Sequence, residues 1–287
     1  MKMLYLGPEG TFTEMAAQRY KERIYSAAGG EELSLEPVED ISTLAHRVEN
    51  NSGVRGIIPI ENSLEGSVNI TLDMLAHEID IKIGAELNMP VDHCLITGKD
   101  KELEDIEAVI SHPQALAQCR KTLEKLMPRD FRRETAASTA EAVRLIKEEK
   151  PNYAAIGSGL AAERSGLSIA AAGLQDEGEN WTRFIQIGDE DDPDPRRQAD
   201  EMKTSLISIP VENRPGILYE ILEEFALREI NLTRIESRPT REKPGEYLFF
   251  IDFNGSRLSG EVKKAAAGVE RKSAELKLLG SYPCWQI

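Results

Sequence analysis

Four times in the first 160 residues, a short apolar run ends in small polar residues and gives way to helical spacing. The runs are Met3 to Leu6, Gly56 to Ile60, Ala108 to Ile110 and Tyr153 to Ile156, and the polar stretches after them begin at Gly7, Glu61, Ser111 and Gly157. Short buried runs alternating with helix-period segments predict an α/β domain built on a mainly parallel sheet. In open α/β sheets ligands collect beyond the carboxyl ends of the strands, so those polar junctions are where a site is expected.

The pattern then breaks. Residues 189 to 202, DEDDPDPRRQADEM, combine an acidic run with two prolines and show no apolar period, which predicts a solvated linker between residues 1–188 and 203–287. Beyond it the order is strand (Thr204 to Val211), helix (Pro215 to Arg228), two strands (Asn231 to Arg238, Glu246 to Phe253), helix (Ser259 to Glu275) and strand (Lys277 to Tyr282). That is the ferredoxin-like βαββαβ plan. In its first helix Ile217, Leu218, Ile221, Leu222 and Phe225 make an apolar stripe at helical spacing, a core face rather than a cofactor site.

Composition narrows the partners. A chain of 287 residues is long for one domain and comfortable for two. With 50 acidic against 35 basic residues, the net charge of −15 repels nucleic acid and anionic membranes, while leaving an anionic small molecule free to bind in a cleft. The 3 cysteines have unrelated spacings that suit neither a disulfide framework nor a zinc site. A Gly-Pro turn after a few apolar residues interrupts any signal-peptide core, no apolar run approaches the roughly 20 residues of a spanning helix, and a cytoplasmic protein is expected.

The junctions carry the candidate chemistry. In GPEGTFTE, the glycines permit a tight turn and a helix N-terminus offers free N–H groups to an anion, while Thr11 with Glu14 reads equally as a capping box. IPIENSLEGS sets Glu61, Asn62 and Ser63 at a strand end, a carboxylate, an amide and a hydroxyl able to orient a polar substrate or simply to form a turn. In VISHPQALAQCR, Ser111, Gln114 and Gln118 fall near one face of a helix starting at Pro113, with Leu116, Cys119 and Leu123 toward the core. His112 has no Asp or Cys partner in motif spacing and is read as structural. Ser138 and Glu141 form a second capping box. In GENWTRFIQI, period-two alternation puts Thr182 and Phe184 on one face and Arg183 on the other. No metal cluster, Walker loop, nucleophile elbow or dinucleotide fingerprint is present, so chemistry without a cofactor or metal is expected.

In order, GPEGTFTE, IPIENSLEGSV, SHPQALAQC, STAEA and NWTRF resemble the signature blocks of prephenate dehydratases, and NRPGIL (213–218) with ESRP (236–239) resembles the regulatory motifs of that family's ACT domain. The resemblance implies a catalytic domain of two lobes like type II periplasmic binding proteins, lobe one at about 1–77 and 174–188 and lobe two at about 78–173, with the site between them. It implies catalytic roles for Thr182, Glu61 and Asn62, and substrate contacts from Ser111, Gln118, Thr11 and Thr139, beside Ser63 from the strand-end reading. Asn213, Arg214, Pro215, Gly216, Ile217 and Leu218, with Glu236, Ser237 and Arg238, are implied to bind phenylalanine where two ACT domains meet, in a homodimer or homotetramer. The implied reaction is decarboxylative dehydration of prephenate to phenylpyruvate, in which Thr182 donates to the departing hydroxyl, by relay from Glu61 or water or by electrostatic help. With the first block starting at Gly7, a monofunctional enzyme without a helical mutase domain ahead of it is expected. Two alternatives stand beside this reading: a solute-binding sensor without catalysis, and an enzyme preferring arogenate, the aminated relative.

Overall fold

The computed structural model describes residues 1–26, 32–99, 101–127, 130–176, 178, 180–188, 201–241 and 245–287. Its strands are β1 (Lys2–Leu6), β2 (Ser34–Val38), β3 (Val54–Asn62), β4 (Gly66–Ser67), β5 (Lys82–Pro90), β6 (Cys94–Thr97), β7 (Ala108–Ser111), β8 (Arg132–Thr135), β9 (Tyr153–Gly157), β10 (Ser168–Ala171), β11 (Trp181–Gly188), β12 (Glu201–Pro210), β13 (Leu232–Pro239), β14 (Tyr247–Asn254) and β15 (Ser273–Gln286). The α-helices are α1 (Phe12–Arg19), α2 (Ile41–Glu49), α3 (Asn69–Asp73), α4 (Pro113–Gln118), α5 (Arg120–Leu126), α6 (Thr139–Glu148), α7 (Gly159–Ser165), α8 (Ile217–Ala226) and α9 (Gly260–Glu270).

The four predicted junctions are the C-terminal ends of β1, β3, β7 and β9, shared between two sheets. The smaller sheet runs β10-β6-β9-β7-β8, with β7 parallel to both β8 and β9. The larger runs β13-β14-β12-β15-β5-β11-β3-β1-β2, with β1 parallel to its neighbours and β11 antiparallel to β3 and β5. Strand β5 corrects the expected lobe boundary. Residues 82–90 pair along β11 in the first lobe's sheet, so the chain crosses to the second lobe near Cys94 rather than near residue 78. Its alternating burial shows why: Ile83, Ala85, Leu87 and Met89 enter cores belonging to that sheet.

The βαββαβ unit forms as the pattern predicts, in sheet order β13-β14-β12-β15 with α8 and α9 on one face over Leu206, Ile221, Phe225, Phe253 and Val269. Its other face does not meet solvent. Ile207, Leu248, Phe250, Leu279 and Tyr282 join Leu4, Leu44, Ile58 and Ile185 of the first lobe in one apolar cluster. The tail of β15 runs parallel to β5 through Cys284, Trp285 and Gln286, making the two sheets continuous. The approach is close enough that a Cβ on Gly280 would lie 2.3 Å from the Ile83 carbonyl oxygen. Of the predicted linker, Glu201 and Met202 open β12 and residues 189–200 lie outside the described residues.

Candidate active site

A cleft of about 600 Å³ opens between the two lobes. The first lobe contributes Gly7, Thr11, Phe12, Thr13, Pro59, Asn62 and the rim from Glu65 to Val68; the second contributes His112, Gln114, Gln118 and the start of α6 at Ser138 and Thr139. The crossing segments add His93, Asn180, Thr182 and Phe184. Gly10 sits where the lobes meet: a Cβ there would be 3.0 Å from that of Ala161, and its carbonyl accepts a 2.7 Å bond from Ser158.

At both expected capping boxes the cap hydroxyl takes the Glu N–H while the Glu carboxylate reaches the N–H one residue ahead of the cap, and both aim a helix N-terminus at this cleft. Thr11 Oγ1 accepts from Glu14 N–H while Glu14 accepts from Gly10 N–H at 2.6 Å; Ser138 Oγ accepts from Glu141 N–H while Glu141 accepts from Ala137 N–H at 2.7 Å. The structural reading of these motifs and the anion-binding one are therefore compatible, since the caps place positive helix ends at the cavity.

The cleft floor is a chain of uncharged hydrogen bonds. Asn62 Nδ2 donates to Thr182 Oγ1 at 2.9 Å and to Asn180 Oδ1 at 2.8 Å; Asn180 Nδ2 donates to Gln118 Oε1 at 3.2 Å, and His93 Nε2 meets the same oxygen at 3.1 Å. Because an amide N–H can only donate, Thr182 Oγ1 is an acceptor toward Asn62, which leaves its own proton available to the cleft. Gln118 Nε2 and His93 Nδ1 are buried without a partner. Both residues line the cleft, while these two atoms are shielded from it. Burial holds the His93 imidazole below its ordinary pKa, so it is neutral, and its edge-on contact with Phe12 fixes the ring.

Consecutive strand residues separate what the sequence pairs together. Glu61 is absent from the cleft wall: its carboxylate accepts from Arg183 Nη1 at 2.6 Å and lies 3.7 Å from Arg234 Nε. The expected relay from Glu61 to Thr182 is thereby corrected, since neighbours on a strand point to opposite faces. Arg183, opposite Glu61 in register, reaches Glu86 at 2.6 Å and Asp252 at 3.0 Å, and Glu86 also takes Lys203 at 2.7 Å. Burial alone would raise the Glu86 pKa, but Arg183 and Lys203 outweigh it and hold the carboxyl below the usual range. A β-bulge leaves Ile60 without an opposite residue, so both Pro59 and Asn62 reach the cleft.

Other expected contacts also part company. Ser111 is fully buried behind the wall, donating to Ile156 O at 2.8 Å, and Ser63 Oγ accepts from Trp181 N–H at 2.9 Å. Thr11, Asn62, Gln118, Thr139 and Thr182 remain together at the cleft. His93 and Glu65 were not singled out by spacing. Burial raises the Glu65 pKa, against the opposing charge effect of His112. Among the described residues the lining contains no Lys or Arg, and no three His, Cys, Asp or Glu side chains gather as a metal requires.

A second, smaller cavity of about 270 Å³ lies in the C-terminal unit, lined by Val211, Asn213, Ile217, Glu246, Tyr247 and Phe249. Glu236 and Arg238 are not part of its wall; they face the first lobe. Arg214 pairs with Glu220 on α8, and Gly216, with φ +89°, makes the turn into that helix.

Comparison with known proteins places these features. The model of the prephenate dehydratase family matches residues 3–192 and that of the ACT domain matches residues 205–270. The prephenate dehydratase of Methanocaldococcus jannaschii is 39% identical over 282 residues, 98% of this chain and 97% of that one. The bifunctional chorismate mutase/prephenate dehydratase of Aquifex aeolicus is 38% identical over 99% of this chain and 74% of its own length. The crystal structure of prephenate dehydratase from Arthrobacter aurescens in complex with L-Phe superposes with a TM-score of 0.86, at 35% identity, covering 99% of this chain and 90% of that one.

Proposed function

The chain belongs to the prephenate dehydratase family, and we propose that its interlobe cleft converts prephenate to phenylpyruvate with Thr182 donating to the departing hydroxyl. In that reaction the ring carboxylate leaves as carbon dioxide, its bonding electrons enter the ring, and the ring hydroxyl takes up a proton and departs as water. The observation that carries the assignment is the bond from Asn62 to Thr182, which leaves the threonine proton directed away from the amide and free for the leaving oxygen.

A wall without basic side chains suits this chemistry. The ring carboxylate loses its charge in the transition state, so a charge-assisted Arg or Lys clamp on it would stabilise the reactant more than the transition state. Amides, hydroxyls and helix N-termini hold the substrate in the geometry that aligns both breaking bonds, with less of that penalty. We assign substrate contacts to Gln118, Thr139 and Thr11. We assign the proton supply to Glu65, which lines the cleft and whose carboxyl burial holds above its ordinary pKa, with threonine acting as donor to the leaving oxygen rather than as the ultimate acid.

For the C-terminal unit we propose binding of L-phenylalanine and regulation of the cleft, supported by the ACT match and by the effector in the Arthrobacter relative. Asn213 and Ile217 belong to the cavity of about 270 Å³, and pairing of two copies at this unit, in a dimer or tetramer, would complete it. Among the described residues no helix is long and apolar enough to cross a membrane, and we place the enzyme in the cytoplasm. The test is to incubate the protein with prephenate and follow phenylpyruvate with and without phenylalanine, beside an enzyme-free blank. Product formation altered by phenylalanine supports both assignments. Untouched prephenate with consumed arogenate would redirect the substrate, and neither consumed would leave a binding protein.

A further inference from the structure

Strand β13 presents two faces. Thr233, Ile235 and Ser237 are exposed, while Arg234, Glu236 and Arg238 turn toward the first lobe. Arg234 Nη2 donates to Ser67 Oγ and to Glu236, both at 2.7 Å, and Ser67 Oγ also meets the Glu236 carboxylate. One turn of chain further on, Arg238 donates to Asn69 and Asp73, each at 2.6 Å, and Arg241 takes the second Asp73 oxygen at 2.6 Å. These partners are the continuation of the cleft rim, because Gly66, Ser67 and Val68 line the cleft and Asn69 to Asp73 form α3 directly after them.

The neighbouring strand, β14, borders the smaller cavity. Ser237 pairs with Phe249 and Pro239 with Tyr247, and both aromatic residues line that cavity. Asn213, on its wall, donates to Gly245 O at 2.7 Å just ahead of β14. A ligand that shifts Tyr247 or Phe249 therefore pushes on the hydrogen-bonded neighbour strand whose other face holds the rim.

We infer that β13 is the element that transmits effector binding to the cleft, with Arg234, Glu236 and Arg238 acting as a latch on the rim segment 67–73 rather than as effector ligands within one protomer. The inference deepens, and rests on, the reading that phenylalanine binds the C-terminal unit and regulates turnover. A latch can couple two sites only if it has two states, and the ion pairs supply them: closed on Ser67, Asn69 and Asp73, or released. The pairs are partly buried and multiply hydrogen-bonded, so breaking them costs more than breaking a surface pair does.

The experiment uses the full chain with Asp73→Asn and Arg234→Gln, neither residue lining the cleft or the smaller cavity. Asp73→Glu serves as the conservative control. Phenylpyruvate formation is titrated with L-phenylalanine, L-phenylalanine binding is measured by calorimetry with and without phenylpyruvate, and thermal unfolding confirms that each variant folds. Couplings of this kind typically change affinity by about 5- to 150-fold. The wild type should show such a change. Asp73→Asn and Arg234→Gln should still bind phenylalanine while their turnover response and the effect of phenylpyruvate on phenylalanine affinity fall toward nothing, and Asp73→Glu should recover part of both. Variants that bind and respond like the wild type overturn the latch and leave the effector reading intact. Variants that fold but no longer bind phenylalanine put the cluster in the effector site and also overturn it. A wild type that binds no phenylalanine removes the effector reading and the latch together.

Discussion

Within the β3–β11 ribbon, residues one step apart face different environments. On the cleft face, Asn62, Thr182 and the adjoining Asn180 form an uncharged hydrogen-bond chain; on the other, Glu61 and Arg183 enter an ionic cluster with Glu86, Asp252, Lys203 and Arg234. The difference shows how one pair of strands serves two purposes. The neutral face brings no cation to the cleft, and the charged face ties β3 and β11 to the C-terminal unit. Single-residue alternation keeps the two sets of chemistry apart without any intervening structure.

Substitutions on the two faces should therefore fail in different ways. The largest effect on stability is expected from Arg183→Met, which leaves the buried Glu86 with Lys203 as its cation and takes from Asp252 the guanidinium it pairs with; removing one partner of a buried cluster costs about 3–5 kcal/mol, measurable as a fall in the denaturant midpoint. On the cleft face, Asn62→Ala should cost less stability, since it removes neutral hydrogen bonds and leaves no buried charge unpaired, while lowering turnover by on the order of 100-fold, since Thr182 loses the donor that orients it. An equal stability loss in both variants would erase the distinction between the faces.

A smaller effect is expected from Glu65→Gln, and its sign follows from the raised pKa of the carboxyl. The protonated form is the acid, so wild-type turnover should be retained below that pKa and fall as pH rises through it. Glu65→Gln should turn over more slowly at low pH and lose that dependence. A pH–rate profile of unchanged shape in the variant would remove Glu65 as the proton source.

Much of this architecture is legible in the residues themselves. The junctions after β1, β3, β7 and β9 announce themselves by apolar runs ending in small polar residues, and the βαββαβ order after residue 200 follows from periodicity. Strand alternation alone sets Arg183 on the face opposite Thr182, and the two have separate partners in Glu61 and Asn62. Three features resist the same reading for physical reasons. Glu61 and Asn62 look like a functional pair in the ENS block, yet the strand continues through Asn62, and only the cross-strand register reveals that Glu61 belongs to the domain contact. His93 lies in a short crossing between sheets, where no period exists to mark it, and its place beside Gln118 depends on a residue 25 positions away. The assignment of β5 to the first sheet depends on pairing with β11, nearly 100 residues later, which no local pattern encodes.

The most direct test of the central claim is single-turnover conversion of prephenate by Thr182→Val, with chemical unfolding measured on the same preparation. Valine matches the shape of threonine but lacks the hydroxyl. The account predicts stability within about 1–2 kcal/mol of wild type and conversion slowed by roughly 100-fold or more. Near-normal conversion by the folded variant would contradict it and take the chemistry away from the Asn62–Thr182 pair.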